Sequence, residues 1–186
     1  MVKHYFSIFD LNLGPVGLVW RDERLPRLSG VILPEDRLST AGLIEQSFPG
    51  AGPRTHAAID KIGRALREYD AGKEGKFAVS ALDLEHWSAF YRSVWMACAS
   101  IPRGKVSTYG RLAAAIASPR AARAVGTALG KNPFPLIIPC HRVVQADGGL
   151  GGFSAGGPAV KRRLLEREGI DFDGRGRVKL ADHADQ

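Results

Sequence analysis

Residues 107–130 read STYGRLAAAIASPRAARAVGTALG. Ser107 has a side chain suited to cap the start of a helix. The apolar residues that follow it at helical spacing are Leu112, Ala113 and Ile116. Ser118-Pro119 predicts the start of a second helix that runs to Gly130, because proline is favoured in the first turn of a helix. Two short helices joined by a tight turn predict a helix-turn-helix.

The second predicted helix, from Pro119 to Gly130, has two different faces. One face carries small apolar residues: Ala122, Val125, Gly126 and Leu129. The other face carries polar and basic residues: Arg120, Arg123, Thr127 and Lys131. The basic face suits the phosphates or a groove of DNA. Taken alone, this basic face would favour an ordinary amphipathic surface helix.

Residues 132–144, which read NPFPLIIPCHRVV, contain the candidate nucleophile. Leu136-Ile137-Ile138 predicts a short apolar strand that leads to Cys140, where basic residues begin. The thiolate is the nucleophilic form of cysteine, and cationic or hydrogen-bonding neighbours lower the pKa of a thiol from its usual value of about 8.5. Cys140 is therefore the candidate covalent nucleophile, and His141 is a candidate base.

The other cysteine, Cys98, has a different setting. It shares one face of a predicted helix with Trp87, Tyr91, Val94 and Trp95, which favours a role in core packing. Two cysteines this far apart exclude a disulfide framework and a cysteine-rich zinc module. We therefore expect no metal.

The first part of the chain has the pattern of a small α/β domain. Apolar-rich runs that predict an antiparallel sheet lie at 5–13, 16–20 and 28–33. Helices are predicted from Pro34 to about Gln46 and from Arg54 to Tyr69, and a short extended run at Phe77–Val79. The pattern turns mostly helical from Asp83, which predicts two domains at 1–82 and 83–186.

The charge is distributed unevenly along the 186 residues, whose net charge is +7. Residues 1–100 carry 12 Lys+Arg and 12 Asp+Glu, whereas residues 101–186 carry 14 and 7, so the excess lies in the second half. A basic half favours a polyanionic partner such as nucleic acid, although a generally basic surface is the alternative.

The hydropathy pattern gives no sign of a membrane protein. The start of the chain lacks the apolar region of a signal peptide, and no segment approaches the roughly 20 apolar residues needed to cross a bilayer. We therefore expect a cytoplasmic protein with no membrane partner.

Several sequence blocks resemble, in order, the O6-alkylguanine-DNA alkyltransferases, also called methylated-DNA–protein-cysteine methyltransferases. The blocks are IPRGKVSTYG at 101–110, AARAVG at 121–126, NP at 132–133, PCHRV at 139–143 and GGFS at 151–154, followed by Lys161, Leu164, Leu165, Glu168 and Gly169. The resemblance is strong over residues 86–169 and weaker before them. It implies a mixed α/β (α+β) fold with a small RNase H-like N-terminal domain. The C-terminal domain would be mostly helical and contain a winged-helix-like helix-turn-helix.

The resemblance also implies roles for individual residues. Cys140 would accept an alkyl group, His141 would deprotonate it through a water molecule, Glu168 would orient His141, and Asn132 would organise the active-site turn. The residues assigned to DNA binding and base flipping are Tyr109, Arg123, Thr127 and Arg120. The residues assigned to the substrate pocket are Val143, Phe153 and Ser154, and Ser154 would hydrogen-bond the leaving oxygen. From the residues alone, Tyr109 also fits a packing aromatic and Glu168 a solvated charge at a helix end.

The implied reaction is the transfer of an alkyl group from the O6 atom of a damaged guanine to Cys140, where it stays. Each molecule would act once and would need no cofactor. The implied partner of this expected monomer is double-stranded DNA containing alkylated guanine, and O4-alkylthymine is a further possible substrate. A stacked guanine does not reach a buried thiolate, so the base must be turned out of the duplex. Phosphate contacts and the minor groove would provide most of the binding.

Two features depart from the family pattern. Phe153 stands where many members have tyrosine, and the turn Ser154–Gly157 is one residue longer than usual. Because this loop borders the implied alkyl pocket, we hypothesise that the range of accepted alkyl groups differs from that of members with the shorter turn.

Three other functions fit parts of the sequence. A lesion sensor of the alkyltransferase-like type would bind DNA without transfer, but such proteins lack the acceptor cysteine. A transcription factor would need a regulatory domain, for which we expect no room. A cysteine hydrolase would need direct pairing of Cys140 with the adjacent His141, which is awkward on one turn. The sequence leaves open whether the tail from Ile170 to Gln186 is ordered.

Overall fold

A computed structural model describes residues 3–35 and 37–183, which divide into two compact units. The first unit ends at Glu85 and the second begins at His86. The domain boundary predicted after residue 82 lies three residues before this division. No helix within the described ranges is long and apolar enough to cross a membrane.

The first unit is a four-stranded sheet with two helices. The strands are β1 (His4–Leu11), β2 (Gly14–Arg21), β3 (Arg27–Ile32) and β4 (Gly52–Pro53). Their order is β3-β2-β1-β4, and only β4 pairs parallel to its neighbour. The helices are α1 (Thr40–Ser47) and α2 (Ala57–Asp70), and a 3₁₀ turn follows at Val79–Ala81.

The central strand of this sheet is buried on both faces. Val16, Leu18, Val19 and Trp20 of β2 have no exposed surface. Gly17 lets α1 approach the strand, because a Cβ atom there would lie 2.8 Å from the Ile44 side chain. The core of this unit therefore lies around β2.

Two predictions for the first unit are wrong in detail. Helix α1 begins at Thr40 and not at Pro34, because the Ser39 hydroxyl caps it by accepting a hydrogen bond from the Gly42 amide. Asp36 lies outside the described residues. The run Phe77–Val79 is not a strand; the extended contact is instead an isolated bridge between Leu82 and Leu28, both of which are buried.

The second unit is mostly helical. Its helices are α3 (Ala89–Ala99), α4 (Tyr109–Ala115), α5 (Ala122–Gly130), α6 (Gly157–Arg167) and α7 (Leu180–His183). Two short strands, β5 (Ser107–Thr108) and β6 (Val143–Val144), pair in parallel, and a 3₁₀ helix covers Cys140–Arg142. Cys98 is fully buried in α3, as predicted.

Helices α4 and α5 form the predicted helix-turn-helix, with different starting residues. Thr108, not Ser107, caps α4, because its hydroxyl accepts a hydrogen bond from the Arg111 amide while Ser107 lies in β5. Pro119 and Arg120 lie in the turn before α5 and not in the helix. The turn contains Ala117 in the left-handed region, with φ +55°.

The segment Leu136–Ile138, predicted as a strand, is a buried turn. Leu136 has φ +72°, which is incompatible with an extended strand. The Ile138 amide donates to the Phe134 carbonyl across this turn at 2.8 Å. The prediction was wrong because all three side chains are buried, and burial alone does not distinguish a strand from a turn.

The tail is ordered from Ile170 to α7, within the described residues. Ile170 and Val178 are buried in an apolar cluster whose other members are Val106, Val144 and Leu165. The Val178 amide donates to the Gly148 carbonyl at 2.9 Å. Gly148 is required at this contact, because it has φ +83° and a Cβ atom would lie 2.4 Å from the Val178 carbonyl oxygen.

Candidate active site

Cys140 is the first residue of a short 3₁₀ helix that follows the buried turn. Its side chain is nearly buried, with 6% of the residue exposed. The remaining exposed surface faces a cavity. The candidate nucleophile is therefore reachable only through that cavity.

Asn132 holds the turn that positions Cys140. Its amide nitrogen donates to the Ile138 carbonyl at 2.9 Å and to the Cys140 Sγ at 3.2 Å. Its side-chain oxygen accepts from the Phe134 amide at 3.0 Å. One buried side chain thus contacts both ends of the turn and the Cys140 sulfur.

Behind the cysteine, His141, Arg142 and Glu168 form a buried array. The His141 Nε2 lies 2.8 Å from the Glu168 Oε1. Arg142 donates to both oxygens of the same carboxylate, from Nε at 2.8 Å and from Nη2 at 2.9 Å, and donates from Nη1 to the Ile101 carbonyl. This paired geometry is the strong form of an arginine–carboxylate interaction.

The array keeps Glu168 ionised. Burial raises the pKa of Glu168, but the hydrogen bonds and charges of His141 and Arg142 outweigh it and hold the pKa well below its usual range. For His141, burial lowers the pKa more than Glu168 raises it, so the imidazole is neutral. Because a carboxylate only accepts hydrogen bonds, the Nε2 atom carries the proton, and Nδ1 is the basic nitrogen.

Cys140 rests as a thiol. Burial raises its pKa, and the Asn132 hydrogen bond and the Lys161 charge lower it only in part. Removing the thiol proton therefore requires a base, and His141 is the adjacent candidate.

A cavity of about 300 Å³ lies over the cysteine. Its lining residues are Tyr109, Gly126, Leu129, Gly130, Cys140, Gly152, Phe153 and Ser154. Four elements meet here: the start of α4, one face of α5, the 3₁₀ helix of Cys140 and the loop before α6. The cavity brings together four of the residues assigned from the sequence, namely Tyr109, Cys140, Phe153 and Ser154.

The other assigned residues lie elsewhere. The Val143 side chain is fully buried and does not line the cavity. Arg123 and Thr127 are exposed on the outer face of α5, whereas Val125 and Leu129 are buried, so the two predicted faces of this helix are confirmed. Arg120 is exposed in the turn before the helix. Arg123 and Thr127 thus lie on the exposed side of the helix whose residues Gly126, Leu129 and Gly130 line the cavity.

Sequence reasoning missed two buried cations of this site. Arg142 and Lys161 were noted only as parts of motifs, yet their side chains are almost fully enclosed. Their contacts span 11 to 41 positions of the chain, which no local pattern reveals. A signal was present nonetheless, because Lys161 occupies an inward position of α6 beside Leu164 and Leu165.

The fold and the site together define a class: a helix-turn-helix protein that holds a single reactive cysteine thiol at the base of a cavity, with a histidine–glutamate pair behind it. Residues 89–170 match the family model described as 6-O-methylguanine DNA methyltransferase, DNA binding domain.

Known proteins with high similarity share this family. The chain is 39% identical over 160 residues to a methylated-DNA–protein-cysteine methyltransferase of Methanothermobacter thermautotrophicus, covering 86% of this chain and 82% of the relative. It is 41% identical over 170 residues to the protein of that name from Mycobacterium bovis, covering 89% and 92%. Among solved structures, it resembles Mycobacterium tuberculosis OGT in complex with DNA at 34% identity and a TM-score of 0.70, covering 90% of this chain and 92% of that chain.

The chain therefore belongs to the methylated-DNA–protein-cysteine methyltransferase family. The resemblance, the mixed α/β fold class and the enzyme class predicted from the sequence are confirmed.

Proposed function

We propose that this protein repairs DNA by moving the alkyl group of O6-alkylguanine to Cys140 in a single, irreversible step. The observation that carries the proposal is the position of the Cys140 thiol on the wall of a cavity, with the neutral His141 adjacent in the chain and ionised Glu168 bonded to that imidazole. This arrangement supplies a nucleophile, a base and a group that fixes the base.

The reaction balances with these residues alone. The Cys140 thiol gives its proton to His141 through a water molecule, and Glu168 stabilises the imidazolium that forms. The thiolate lone pair then forms a sulfur–carbon bond to the alkyl group while the carbon–oxygen bond breaks. The electron pair of that bond stays with the guanine, which takes up one proton in place of the proton that left the thiol, so the imidazolium returns to its neutral form. The product cysteine is a thioether that has no route back to a thiol, so each molecule reacts once.

The cavity walls suit a flipped base. Tyr109 offers an aromatic face and a hydroxyl, and Ser154 offers a hydroxyl that is exposed at the cavity, and we propose that it hydrogen-bonds the leaving oxygen. Turning a base out of the stack costs a few kcal/mol and less for a weakened pair. We propose that Arg123, on the exposed face of α5, fills the gap left in the duplex, and that Thr127 and Arg120 contact the backbone.

The test is the intact mass of the protein after incubation with a duplex that contains one O6-methylguanine. We expect wild-type protein to gain one methyl group per molecule, with no further turnover, and Cys140→Ser to gain none. An unmodified wild-type protein that still binds the lesion tightly would contradict transfer and identify a lesion sensor.

The second substrate and the oligomeric state need separate experiments. We propose that a monomer acts on double-stranded DNA in the cytoplasm and that O4-alkylthymine reaches the same sulfur. A duplex with O4-methylthymine tests the second substrate by the same mass gain. Sedimentation of the protein with and without the duplex tests the oligomeric state.

A further inference from the structure

Lys161 is a fully buried lysine at the inner side of α6. Its Nζ donates to the Val143 carbonyl and to the Leu150 carbonyl, each at 2.6 Å. A buried ammonium is costly unless it is paired, because the charged form loses its hydration. The proposed function assigns no role to this buried charge.

The two carbonyls belong to the ends of one segment. Val143 lies directly after the 3₁₀ helix of Cys140, and Leu150 lies directly before the loop that carries Phe153 and Ser154. Between them the chain folds back on itself, with a hydrogen bond from the Gln145 amide to the Gly149 carbonyl at 2.8 Å. Lys161 thus ties the cysteine turn to the cavity loop.

The ammonium also lies beside ionisable groups of the site. Its Nζ is 5.9 Å from the centre of the Tyr109 ring. Burial lowers the pKa of Lys161 to about 8, and the groups that raise it are Cys140 and Cys98, not a carboxylate. In return, the charge of Lys161 lowers the pKa of both thiols and of the nearby His141. Tyr109 on α4, Cys98 on α3, and Cys140 and His141 on the 3₁₀ helix are the titratable groups that face it.

We propose that Lys161 is a positioning residue that also provides the positive charge balancing the Cys140 thiolate. The inference rests on the proposed function in taking Cys140 as the nucleophile. The backbone contacts place the ammonium, and among the residues that the structure describes the charges that favour its protonated form are those of Cys140 and Cys98, not of a carboxylate. The enzyme thereby gains a counter-charge without a carboxylate that would compete for it.

The first test measures how the rate of Cys140 alkylation by iodoacetamide depends on pH, in the absence of DNA. Lys161→Met keeps the length of the side chain but removes the charge, and Lys179→Met removes an exposed lysine of the same unit as a matched control. The midpoint should rise by about 1 pH unit in K161M, the lower end of the effect of an opposite charge on a close neighbour. It should not change in K179M. An unchanged midpoint in folded K161M would overturn the charge role, whereas loss of stability alone would not move a midpoint.

A second test needs no substitution of the lysine in the measured protein. The pKa of Lys161 is followed by NMR of labelled lysine side chains, of which the chain has eight, in wild type, Cys140→Ser and Cys98→Ser. Coupling between two titrating groups is reciprocal, so the lysine pKa should fall in C140S by more than in C98S. A lysine pKa that is the same in C140S as in wild type would overturn the proposal.

Neither test depends on repair activity. Iodoacetamide reads the thiolate directly, and NMR reads the lysine. If wild type shows no alkyl transfer from DNA while K161M still raises the midpoint, the proposed function fails and the role of Lys161 stands.

Discussion

At the scale of single residues, the Glu168 carboxylate has the side-chain partners His141 and Arg142. Its carboxylate accepts from His141 and from two nitrogens of Arg142, and it is almost fully buried. Removing one partner of such a buried array leaves the other charge uncompensated. Glu168 therefore contributes both to the orientation of the base and to the stability of the fold.

Glu168→Gln should lower stability at neutral pH and change its dependence on acid. Arg142 would lose its counter-charge, a loss of about 3–5 kcal/mol for a broken buried pair. Because the pKa of Glu168 is lowered in the folded protein, its stabilisation is complete above the unfolded value of about 4.5 and is lost as pH falls below it. Urea unfolding from pH 7 to pH 3 should show this loss in wild type.

The pH dependence of stability in Glu168→Gln is compared with that in wild type. Glu168→Gln should lose less stability than wild type between pH 5 and pH 3, since an amide does not titrate. Parallel pH curves for the two proteins would show that Glu168 is not the titrating group. An exposed carboxylate of α6, Glu166, serves as the control in Glu166→Gln.

Sequence motifs identify some of the site residues, but they do not predict which residues contact each other. Cys140 and His141 are predicted by a local pattern, since a proline-flanked cysteine leaves an apolar run at a basic residue. The partners of Arg142 lie 26 and 41 positions away, so only the folded chain shows that it binds Glu168 and Ile101. Val143 was assigned to the pocket from the sequence, but its side chain lies in the core. Only its backbone carbonyl takes part in the site, by accepting a hydrogen bond from Lys161.

At the scale of elements, the turn between α4 and α5 contains a strained residue. Ala117 has φ +55°, a conformation that costs an L-residue with a Cβ atom about 1 kcal/mol or more. The position of α5, and of the cavity wall that it forms, depends on this turn.

Ala117→Gly should therefore raise the free energy of unfolding by about 0.5–1 kcal/mol, because glycine adopts this conformation without strain. The matched control is Ala114→Gly in α4, an exposed helical position where the same change should lower stability by about 1 kcal/mol. Urea unfolding measures both. Destabilisation of similar size in the two variants would contradict strain at Ala117.

The exposed face of α5 makes a separate prediction about DNA. Arg123→Ala should weaken binding to any duplex sequence and reduce the slope of log affinity against log salt by about 1. Fluorescence anisotropy at several salt concentrations measures it. Arg92→Ala, an exposed arginine on α3, is the control, and an equal loss of slope in both variants would exclude a specific role for α5.

The sequence patterns predicted where helices and strands begin and end less well than they predicted individual site residues. The apolar spacing correctly predicts α4 and α5, since one face of each is buried. The starting residues differ because capping depends on which hydroxyl reaches an amide, as Thr108 does. Leu136–Ile138 has an apolar pattern typical of a strand, but the Asn132 contacts fold it into a turn.

At the scale of the whole molecule, the tail completes the second unit. Val178 and Ile170 fill the cluster beneath β6, and Phe172 packs against it under the Arg162 guanidinium. The charge-rich composition of this segment did not predict such packing, because two buried side chains determine it.

Deletion of residues 171–186 should expose this cluster and lower the stability of the second unit by at least about 2 kcal/mol, the burial value of one large apolar side chain. Hydrogen exchange should become faster in residues 143–150, where Val178 holds Gly148. Deletion of residues 184–186 alone is the control. Unchanged exchange at 143–150 in the longer deletion would show that the tail does not support this segment.

The burial of both cysteines protects the protein from side reactions before it meets alkylated DNA. A molecule that reacts once is lost if an oxidant or a stray electrophile reaches its sulfur first. Cys98 has no exposed surface and Cys140 has 6%, at the bottom of a cavity and in the less reactive thiol form. The fold therefore protects each unreacted molecule, because both sulfurs are enclosed and the Cys140 thiol must lose its proton before it becomes a nucleophile.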